Sequence, residues 1–154
     1  MGIAQDSQDL SWMQQAYALA QKAQQQGEVP IGAVLIKDGT LMASGYNQTI
    51  TQNDPTAHAE IITLRAAANA IDNYRLLDTT MYVTLEPCAM CAGALVQARV
   101  TRLVYACADP RAGAAGSIFN VANNDALNHR LQVTSGVMAE ECSQLLQDFF
   151  QQRR

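Results

Sequence analysis

Two short segments of the 154-residue chain contain side chains that can bind a metal ion and move protons. One is His58-Ala59-Glu60, and the other is Pro87-Cys88-Ala89-Met90-Cys91. Cysteines three residues apart lie on the same face of a helix, and the backbone dipole favours thiolates at a helix N-terminus. If His58 is a third ligand beside Cys88 and Cys91, a tetrahedral zinc ion keeps one open position. An open position is typical of a catalytic zinc rather than a structural one.

Glu60 is expected to act beside the metal without binding it. Residues two apart in a regular helix point about 200° away from each other. Glu60 and His58 therefore converge only if His58 belongs to an irregular first turn. A carboxylate in that position can take a proton from water and deliver it to a substrate.

The cysteine pair and the remaining histidine and cysteines of the chain each have a simpler, structural interpretation. Two cysteines three residues apart are often buried apolar thiols, but the His-x-Glu segment makes that interpretation the weaker one here. His129 has no metal-binding neighbour at useful spacing and is interpreted as a surface or packing histidine. Cys107 and Cys142 lie in apolar stretches and are predicted to be core thiols.

Length and composition limit the class of protein. A chain of this size, with 49% hydrophobic residues, predicts a single globular domain over residues 1–154. With a net charge of -4, the chain is not basic overall, as many nucleic-acid-binding proteins are. Any contact with a nucleic acid must therefore use a local basic patch. Residues 1–10 do not resemble a signal peptide, no segment reaches membrane-spanning length, and the cysteines form no disulfide framework. A soluble cytoplasmic protein without membrane contact is expected.

Apolar periodicity and turn residues predict how these segments are positioned. The expected order is helix, β-hairpin, helix, strand, helix, two strands and a helix. The predicted bounds are 7–26, 31–36, 41–46, 56–71, 80–85, 88–99, 102–107, 132–135 and 139–153. This order predicts one α/β domain whose central sheet of about five strands is covered by helices on both faces. Residues 108–124 read as a long loop, and such loops are often functional.

The two motifs together resemble the signature of zinc-dependent nucleobase deaminases, which is His-x-Glu followed by Pro-Cys-x-x-Cys. Further segments are similar to the bacterial tRNA-specific adenosine deaminase branch of that family. They are Asp54-Pro55-Thr56-Ala57-His58-Ala59-Glu60, Asn73-Tyr74-Arg75-Leu76, Tyr82-Val83-Thr84-Leu85-Glu86-Pro87-Cys88, Gly113-Ala114-Ala115-Gly116-Ser117 and Asp148-Phe149-Phe150. The similarity covers nearly the whole chain.

The resemblance implies a three-layer α/β/α fold of the cytidine-deaminase type with a mixed sheet. It implies hydrolytic conversion of adenosine to inosine at the wobble position (34) of a tRNA anticodon, by a homodimer. Its partner would be the anticodon stem-loop of an arginine tRNA with adenosine at that position. Each chain would bind one Zn²⁺ through His58, Cys88 and Cys91. Glu60 would transfer protons while the bond between C6 of adenine and its amino group is hydrolysed.

The resemblance also implies a set of substrate-binding residues, which are Asn47, Val29, Leu85, Asp109, Phe150 and Arg153. Asn47 matches an asparagine that hydrogen-bonds the target nucleoside, and a plain turn asparagine is its alternative. We expect Asp109 to accept a hydrogen bond from a ribose 2′-hydroxyl, a donor that DNA lacks. A loop cap bonded to backbone N–H groups is the alternative for Asp109.

Two other functions stay open from the sequence alone. One is deamination of a free base or nucleoside such as guanine, cytosine or cytidine, which shares the metal chemistry. The segments 113–117 and 149–154 favour an RNA substrate over a free base. The other is a noncatalytic zinc-binding or tRNA-binding subunit, against which Glu60 argues because such a subunit needs no general base.

Overall fold

The computed structural model describes residues 3–153, so residues 1, 2 and 154 of the predicted domain lie outside the described part. The elements are α1 (Ile3–Gln25), β1 (Gly32–Lys37), β2 (Thr40–Tyr46), α2 (Ala59–Ile71), β3 (Thr79–Leu85), α3 (Ala89–Gln97), β4 (Arg102–Cys107), β5 (Gln132–Ser135) and α4 (Ala139–Gln151). Every predicted element is present in the predicted order, and β4 and β5 have the predicted bounds.

The five strands form one mixed sheet in the order β2-β1-β3-β4-β5. The β1 strand pairs antiparallel with both β2 and β3, whereas β3, β4 and β5 are parallel. Parallel neighbours need a crossover connection, and α3 provides it between β3 and β4. The predicted α/β class with a mixed five-stranded sheet is therefore confirmed.

Alternating side chains of the central strands supply two separate cores, because successive residues of a strand point to opposite faces. In β1, Leu35 belongs to the core under α2 and α3, whereas Val34 belongs to the core under α1. The same alternation separates Val83 from Tyr82 in β3. Helices thus cover both faces, which gives the three layers. Among residues 3–153, none of the helices combines the length and apolar character needed to cross a bilayer.

The strand directions bring the chemically important segments to one edge of the sheet. Leu85 and Cys107 pair at the carboxyl ends of the parallel strands β3 and β4, so the segments that follow them start side by side. Because β1 runs the other way, its first residue lies at this edge too, where the Gly32 N–H donates to Thr84 Oγ1 at 3.2 Å. Tyr46, the last residue of β2, pairs with Gly32. Ligands of open α/β sheets commonly bind at such an edge.

Two helices begin later than the sequence predicts. The α2 helix begins at Ala59 rather than at residue 56, because Asp54 Oδ1 accepts hydrogen bonds from the N–H and hydroxyl of Thr56 and holds a turn there. The α3 helix begins at Ala89 rather than at Cys88, and it ends at Gln97. The left-handed backbone of Arg99 (φ 64°) is incompatible with the predicted continuation of α3 to that residue.

A buried ion pair ties α1 to the sheet. Asp9 accepts two hydrogen bonds from the guanidinium of Arg102, at 2.9 and 2.8 Å, and one from Tyr82 Oη at 2.7 Å. Burial by itself raises the pKa of Asp9, but the hydrogen bonds from Arg102 and Tyr82 outweigh it and hold the pKa below its ordinary value of 3.8. The charged form of Asp9 therefore stabilises the fold.

We expect Asp9→Asn to lower the free energy of unfolding at neutral pH by about 3–5 kcal/mol, since the guanidinium of Arg102, whose side chain is 14% exposed, loses its ionic partner. A group with a depressed pKa stabilises the folded state above its ordinary pKa and loses that effect as pH falls through the folded-state pKa. The difference between wild type and variant should therefore shrink below about pH 4. Chemical denaturation of both proteins at several pH values measures this difference in the free energy of unfolding. A neutral-pH difference under about 1 kcal/mol would instead match an exposed ion pair.

Candidate active site

His58 occupies the last position before α2. Its backbone is extended (φ -75°, ψ 155°), so it caps the helix instead of belonging to its regular part. The irregular first turn that the sequence argument required is therefore present. The segment before it is held by main-chain hydrogen bonds, in which His58 N donates to Thr56 O at 2.8 Å and Gln48 N donates to Ala57 O at 2.9 Å.

Cys88 and Cys91 meet His58 at the start of α3. Cys88 caps that helix with an extended backbone, and Cys91 is buried in the first turn. His58 Nδ1 lies 3.7 Å from Cys88 Sγ and 3.4 Å from Cys91 Sγ. The three ligand atoms all lie within 4.8 Å of one another. The structure thus brings together the predicted ligand set of His58, Cys88 and Cys91.

The donor set fits a zinc ion in both chemistry and spacing. Imidazole and thiolate are ligands of zinc, and tetrahedral zinc with ordinary bond lengths separates a nitrogen from a sulfur ligand by about 3.5 Å. Hydrogen bonds from Cys91 and then from His58 lower the pKa of Cys88 to about 3. Cys88 is therefore a thiolate, the form that binds metal.

Glu60 lies beside this ligand set but is not a member of it. The side chain sits in the first turn of α2 and is 4% exposed. Burial raises the pKa of Glu60 to about 7, against the lowering effects of its own backbone N–H, the charge of His58 and a hydrogen bond with Cys91. A carboxyl group in this position can accept and release a proton near neutral pH.

Comparison with known proteins agrees with this geometry. The model of the MafB19-like deaminase family matches residues 7–154. The chain belongs to this deaminase family. A Haemophilus influenzae relative, the tRNA-specific adenosine deaminase, is 54% identical over 95% of this chain and 85% of its own length.

Two solved structures resemble this deaminase in both sequence and fold. One comes from work on A-to-I editing by tRNA:A34 deaminases at the wobble position of transfer RNA; it is 42% identical with a TM-score of 0.85, over 88% of this chain and 99% of that one. The other is the guanine deaminase from Bacillus subtilis, 40% identical with a TM-score of 0.63, over 69% of this chain and 68% of that one.

Five of the predicted substrate-binding residues of this deaminase line one cavity of about 820 Å³ at the same edge of the sheet. They are Val29, Leu85, Asp109, Phe150 and Arg153. Val29 precedes β1, Leu85 ends β3, and Phe150 lies on α4, so three separate parts of the chain contribute to the walls. Their binding of a substrate stays a prediction.

Asn47 lies directly after β2 and is 5% exposed. Its side-chain oxygen accepts a hydrogen bond from the N–H of Ala59 at 2.8 Å, which satisfies one of the free donors at the start of α2. Asn47 thereby fixes the first turn that carries His58 and Glu60. This contact supports a structural role, and the predicted bond to the nucleoside would have to use the other side-chain atom, Nδ2.

Asp109 and Arg153 both make intrachain contacts. Asp109 Oδ1 accepts hydrogen bonds from the N–H groups of Arg111 and Ala112, at 3.0 and 3.2 Å, which is the loop-capping alternative. The guanidinium of Arg153 lies 4.1 Å from the centroid of the Phe149 ring and donates to the carbonyl of Gly27 at 3.1 Å. Arg153 thus joins the end of α4 to the turn just before Val29.

Sequence reasoning missed Glu28, which holds the segment between β2 and α2. This fully buried carboxylate accepts hydrogen bonds from the N–H of Ile50 at 3.2 Å and from the N–H and hydroxyl of Thr51, each at 2.6 Å. Burial raises the pKa of Glu28, but the hydrogen bonds from Thr51 and Ile50 hold it below the ordinary value. A charged residue directly before the Val-Pro-Ile entry to a buried strand is the signal that could have revealed it.

Sequence reasoning also missed Glu86, a second buried acid, which is described below.

Of the other cysteines, Cys142 is buried as predicted, whereas Cys107 is half-buried and lines the cavity as well as packing on the core. The Nε2 of His129 lies 2.7 Å from the Val100 carbonyl, a contact consistent with a packing histidine.

Proposed function

We propose that this deaminase converts adenosine to inosine at the wobble position (34) of a tRNA anticodon, by hydrolysis that depends on one Zn²⁺ held by His58, Cys88 and Cys91. The observation that carries the proposal is the convergence of these three ligand atoms beside a buried carboxylate that is not a ligand. The tRNA substrate is supported by the 54% identical tRNA-specific relative.

The residues of the chain divide the chemistry between binding and proton transfer. Bound zinc supplies Lewis-acid activation of a water molecule. Glu60 takes up a proton from the attacking water and carries it to the ring nitrogen N1 of adenine. It then takes the proton of the new C6 hydroxyl and gives it to the amino group, so that the C6–N bond breaks, ammonia leaves, and inosine remains with a C6 carbonyl and the first proton on N1. Val29 and Leu85 form walls of the slot that holds the base, and Asn47 positions the turn from which Glu60 reaches it.

Binding of one base that is turned out of a single-stranded RNA loop suits an acidic protein that contacts RNA only locally. The net charge of -4 does not favour wrapping of a duplex, whereas single-stranded loops are bound by stacking and a few charged contacts. Phe150 is 48% exposed, and Arg111 and Arg153 line the same cavity. We propose that the anticodon loop binds at this cavity. We also propose that the protein acts in the cytoplasm, where cysteines such as Cys88 and Cys91 stay reduced.

Guanine deamination is the second candidate, because the Bacillus subtilis guanine deaminase shares the fold and 40% identity. That match covers a smaller part of this chain than the tRNA:A34 deaminase structure does. We therefore rank an adenosine in tRNA above a free purine base.

Sequencing of inosine in the cellular tRNA pool, with and without this protein, tests the proposed function. We expect an arginine tRNA with adenosine at position 34 to carry inosine only when the protein is present. Complementation with the Glu60→Ala variant should leave adenosine there. Inosine at position 34 without the protein would refute the assignment.

We also propose that Asp109 accepts a hydrogen bond from a ribose 2′-hydroxyl next to the target adenosine, in addition to capping its own turn. Asp109→Asn should then lower the ratio of activity on RNA to activity on single-stranded DNA of the same loop sequence. The expected change is about tenfold, the size of one charge-assisted hydrogen bond. An unchanged ratio together with a lower melting temperature would leave only the capping role.

A homodimer is the proposed assembly. Met90 at the start of α3 and the neighbouring loop residues Ile118 and Phe119 are 37%, 51% and 54% exposed. The loop that carries Ile118 and Phe119 passes close to the segment just before α3, because Ala114 N donates to Pro87 O at 2.8 Å. Exposed apolar side chains are typical of protein interfaces, and a second copy of the chain is the partner we propose. Phe119→Asp should shift the protein toward monomer in analytical ultracentrifugation, and an unchanged sedimentation coefficient would exclude this face.

A further inference from the structure

Glu86 is a buried carboxylate to which the proposed chemistry assigns no step. It stands between Leu85, the end of β3, and the Pro87-Cys88 segment that carries a metal ligand. Only 2% of its surface is exposed. Burying a carboxylate is costly unless hydrogen bonds satisfy its oxygens, so the partners of Glu86 indicate its role.

The hydrogen-bond donors to the Glu86 side chain all come from the loop after β4. One carboxylate oxygen accepts the N–H of Asp109 at 2.9 Å and the hydroxyl of Ser117. The other accepts the N–H groups of Ala115 at 2.9 Å and Ser117 at 3.1 Å. We call residues 109–117 the anchored loop. One buried side chain thus fixes both ends of the anchored loop.

Gly113 shows how closely the anchored loop surrounds the carboxylate. A Cβ atom on Gly113 would lie 2.4 Å from Cδ of Glu86 and 2.6 Å from the carbonyl oxygen of Asp109. Contacts that short do not occur, so a side chain at this position would push the loop away from Glu86. Glycine is required here by close approach of the loop to Glu86.

The anchored loop forms part of the cavity of about 820 Å³ in which we propose that the RNA binds. Asp109, Pro110 and Arg111 line that cavity, and of these three Asp109 donates its backbone N–H directly to Glu86. The metal-binding segment is joined to the same structure, because Glu86 N donates to Cys107 O at 2.9 Å. The position of the cavity wall relative to Cys88 therefore depends on Glu86.

We propose that Glu86 is a positioning residue for RNA binding, which holds the anchored loop so that Asp109 and Arg111 face the substrate cavity. It does so without touching the substrate. The inference rests on the proposed function, since it assigns the anchored loop to contacts with RNA outside the reacting base. Such contacts act equally on the bound substrate and on the transition state, so they affect KM more than kcat.

Glu86→Gln is the principal test. Glutamine has nearly the same size, but its NH₂ group faces N–H donors and cannot accept from them. We expect KM for an anticodon stem-loop with adenosine at position 34 to rise about tenfold, while kcat changes less than about threefold. Zinc content should stay at the wild-type level. The backbone amides of Ala115 and Ser117 should exchange hydrogen faster.

Further variants separate positioning from general stability. Gly113→Ala should raise KM as Glu86→Gln does, because it displaces the same loop. Ser117→Ala removes a single donor and should shift KM less, whereas Ser117→Thr keeps the hydroxyl and should keep the wild-type KM. If Glu86→Gln does not fold, the Gly113 and Ser117 variants carry the test. Asp9→Asn, which weakens the distant ion pair, should lower stability and leave KM unchanged.

The outcomes distinguish this inference from the proposed function. An unchanged KM in Glu86→Gln and Gly113→Ala, with only a lower melting temperature, would overturn the positioning role. A wild-type protein that forms no inosine in the stem-loop would contradict the proposed function instead. Hydrogen exchange would then still test the anchoring, and wild-type exchange at Ala115 and Ser117 in Glu86→Gln would overturn it.

Discussion

Glu60→Ala is expected to lower the rate of inosine formation by about 10²–10⁴-fold, the contribution of a positioned general acid and base. Zinc content should not change, because the carboxylate lies outside the ligand set of His58, Cys88 and Cys91. Burial raises the pKa of Glu60 to about 7, so this side chain can both accept and return a proton during turnover. Single-turnover assays on an anticodon stem-loop, with elemental analysis of the same sample, measure both quantities.

Two variants make the Glu60 result specific. Glu60→Gln keeps the volume of the side chain and should be impaired to a similar degree, which excludes a packing defect as the cause. Glu141→Ala removes an exposed carboxylate from the first turn of α4 and should retain the wild-type rate. Loss of zinc together with activity in Glu60→Ala would show that Glu60 is a ligand.

Cys88→Ala is expected to abolish both zinc binding and deamination, a larger loss than that of Glu60→Ala. Catalytic zinc is held by three protein ligands, so this variant removes one third of the set, and Cys88 is the ligand whose lowered pKa of about 3 favours the thiolate. Removal of the metal from the wild-type protein by a chelator should have the same effect, and addition of Zn²⁺ should restore activity. Elemental analysis before and after chelation provides the zinc content.

Cys142→Ala is the matched control for the zinc experiment. Cys142 is buried in the core under α1, apart from the ligand set, so its removal should leave zinc content at one ion per chain. A full zinc complement in Cys88→Ala would contradict the ligand assignment. So would the appearance of a fourth protein ligand in an experimental structure with the metal bound.

The local signals in the sequence were sufficient for most of the fold. Residues 102–107 and 132–135 were predicted as strands with the observed bounds, because turn residues follow each short run, Asp109-Pro110 after the first and Gly136 after the second. The start of α2 was predicted three residues early, since Thr56 and Ala57 are compatible with a helix. What excludes them is the turn that the side chain of Asp54 stabilises at Thr56.

The metal-binding residues were predictable from their types and spacing, whereas the residues that position the site were not. His58, Cys88 and Cys91 carry recognisable chemistry, and the need for His58 and Glu60 to converge predicted an irregular turn at His58, whose backbone is extended in the structure. Glu28 and Glu86 act on residues far away in the sequence. Glu28 binds Ile50, 22 positions later, and Glu86 binds Ser117, 31 positions later. No local pattern specifies such partners, because they depend on how the strands are ordered in the sheet.

A side-by-side assay of the zinc-loaded protein tests the proposed activity most directly. The substrates are an anticodon stem-loop with adenosine at position 34, the same stem-loop with that adenosine moved by one nucleotide, free adenosine, guanine and cytidine. We predict inosine in the first substrate, with kcat/KM far above that of every other one. Faster deamination of guanine or of a free nucleoside, or no inosine at position 34, would contradict the proposed function.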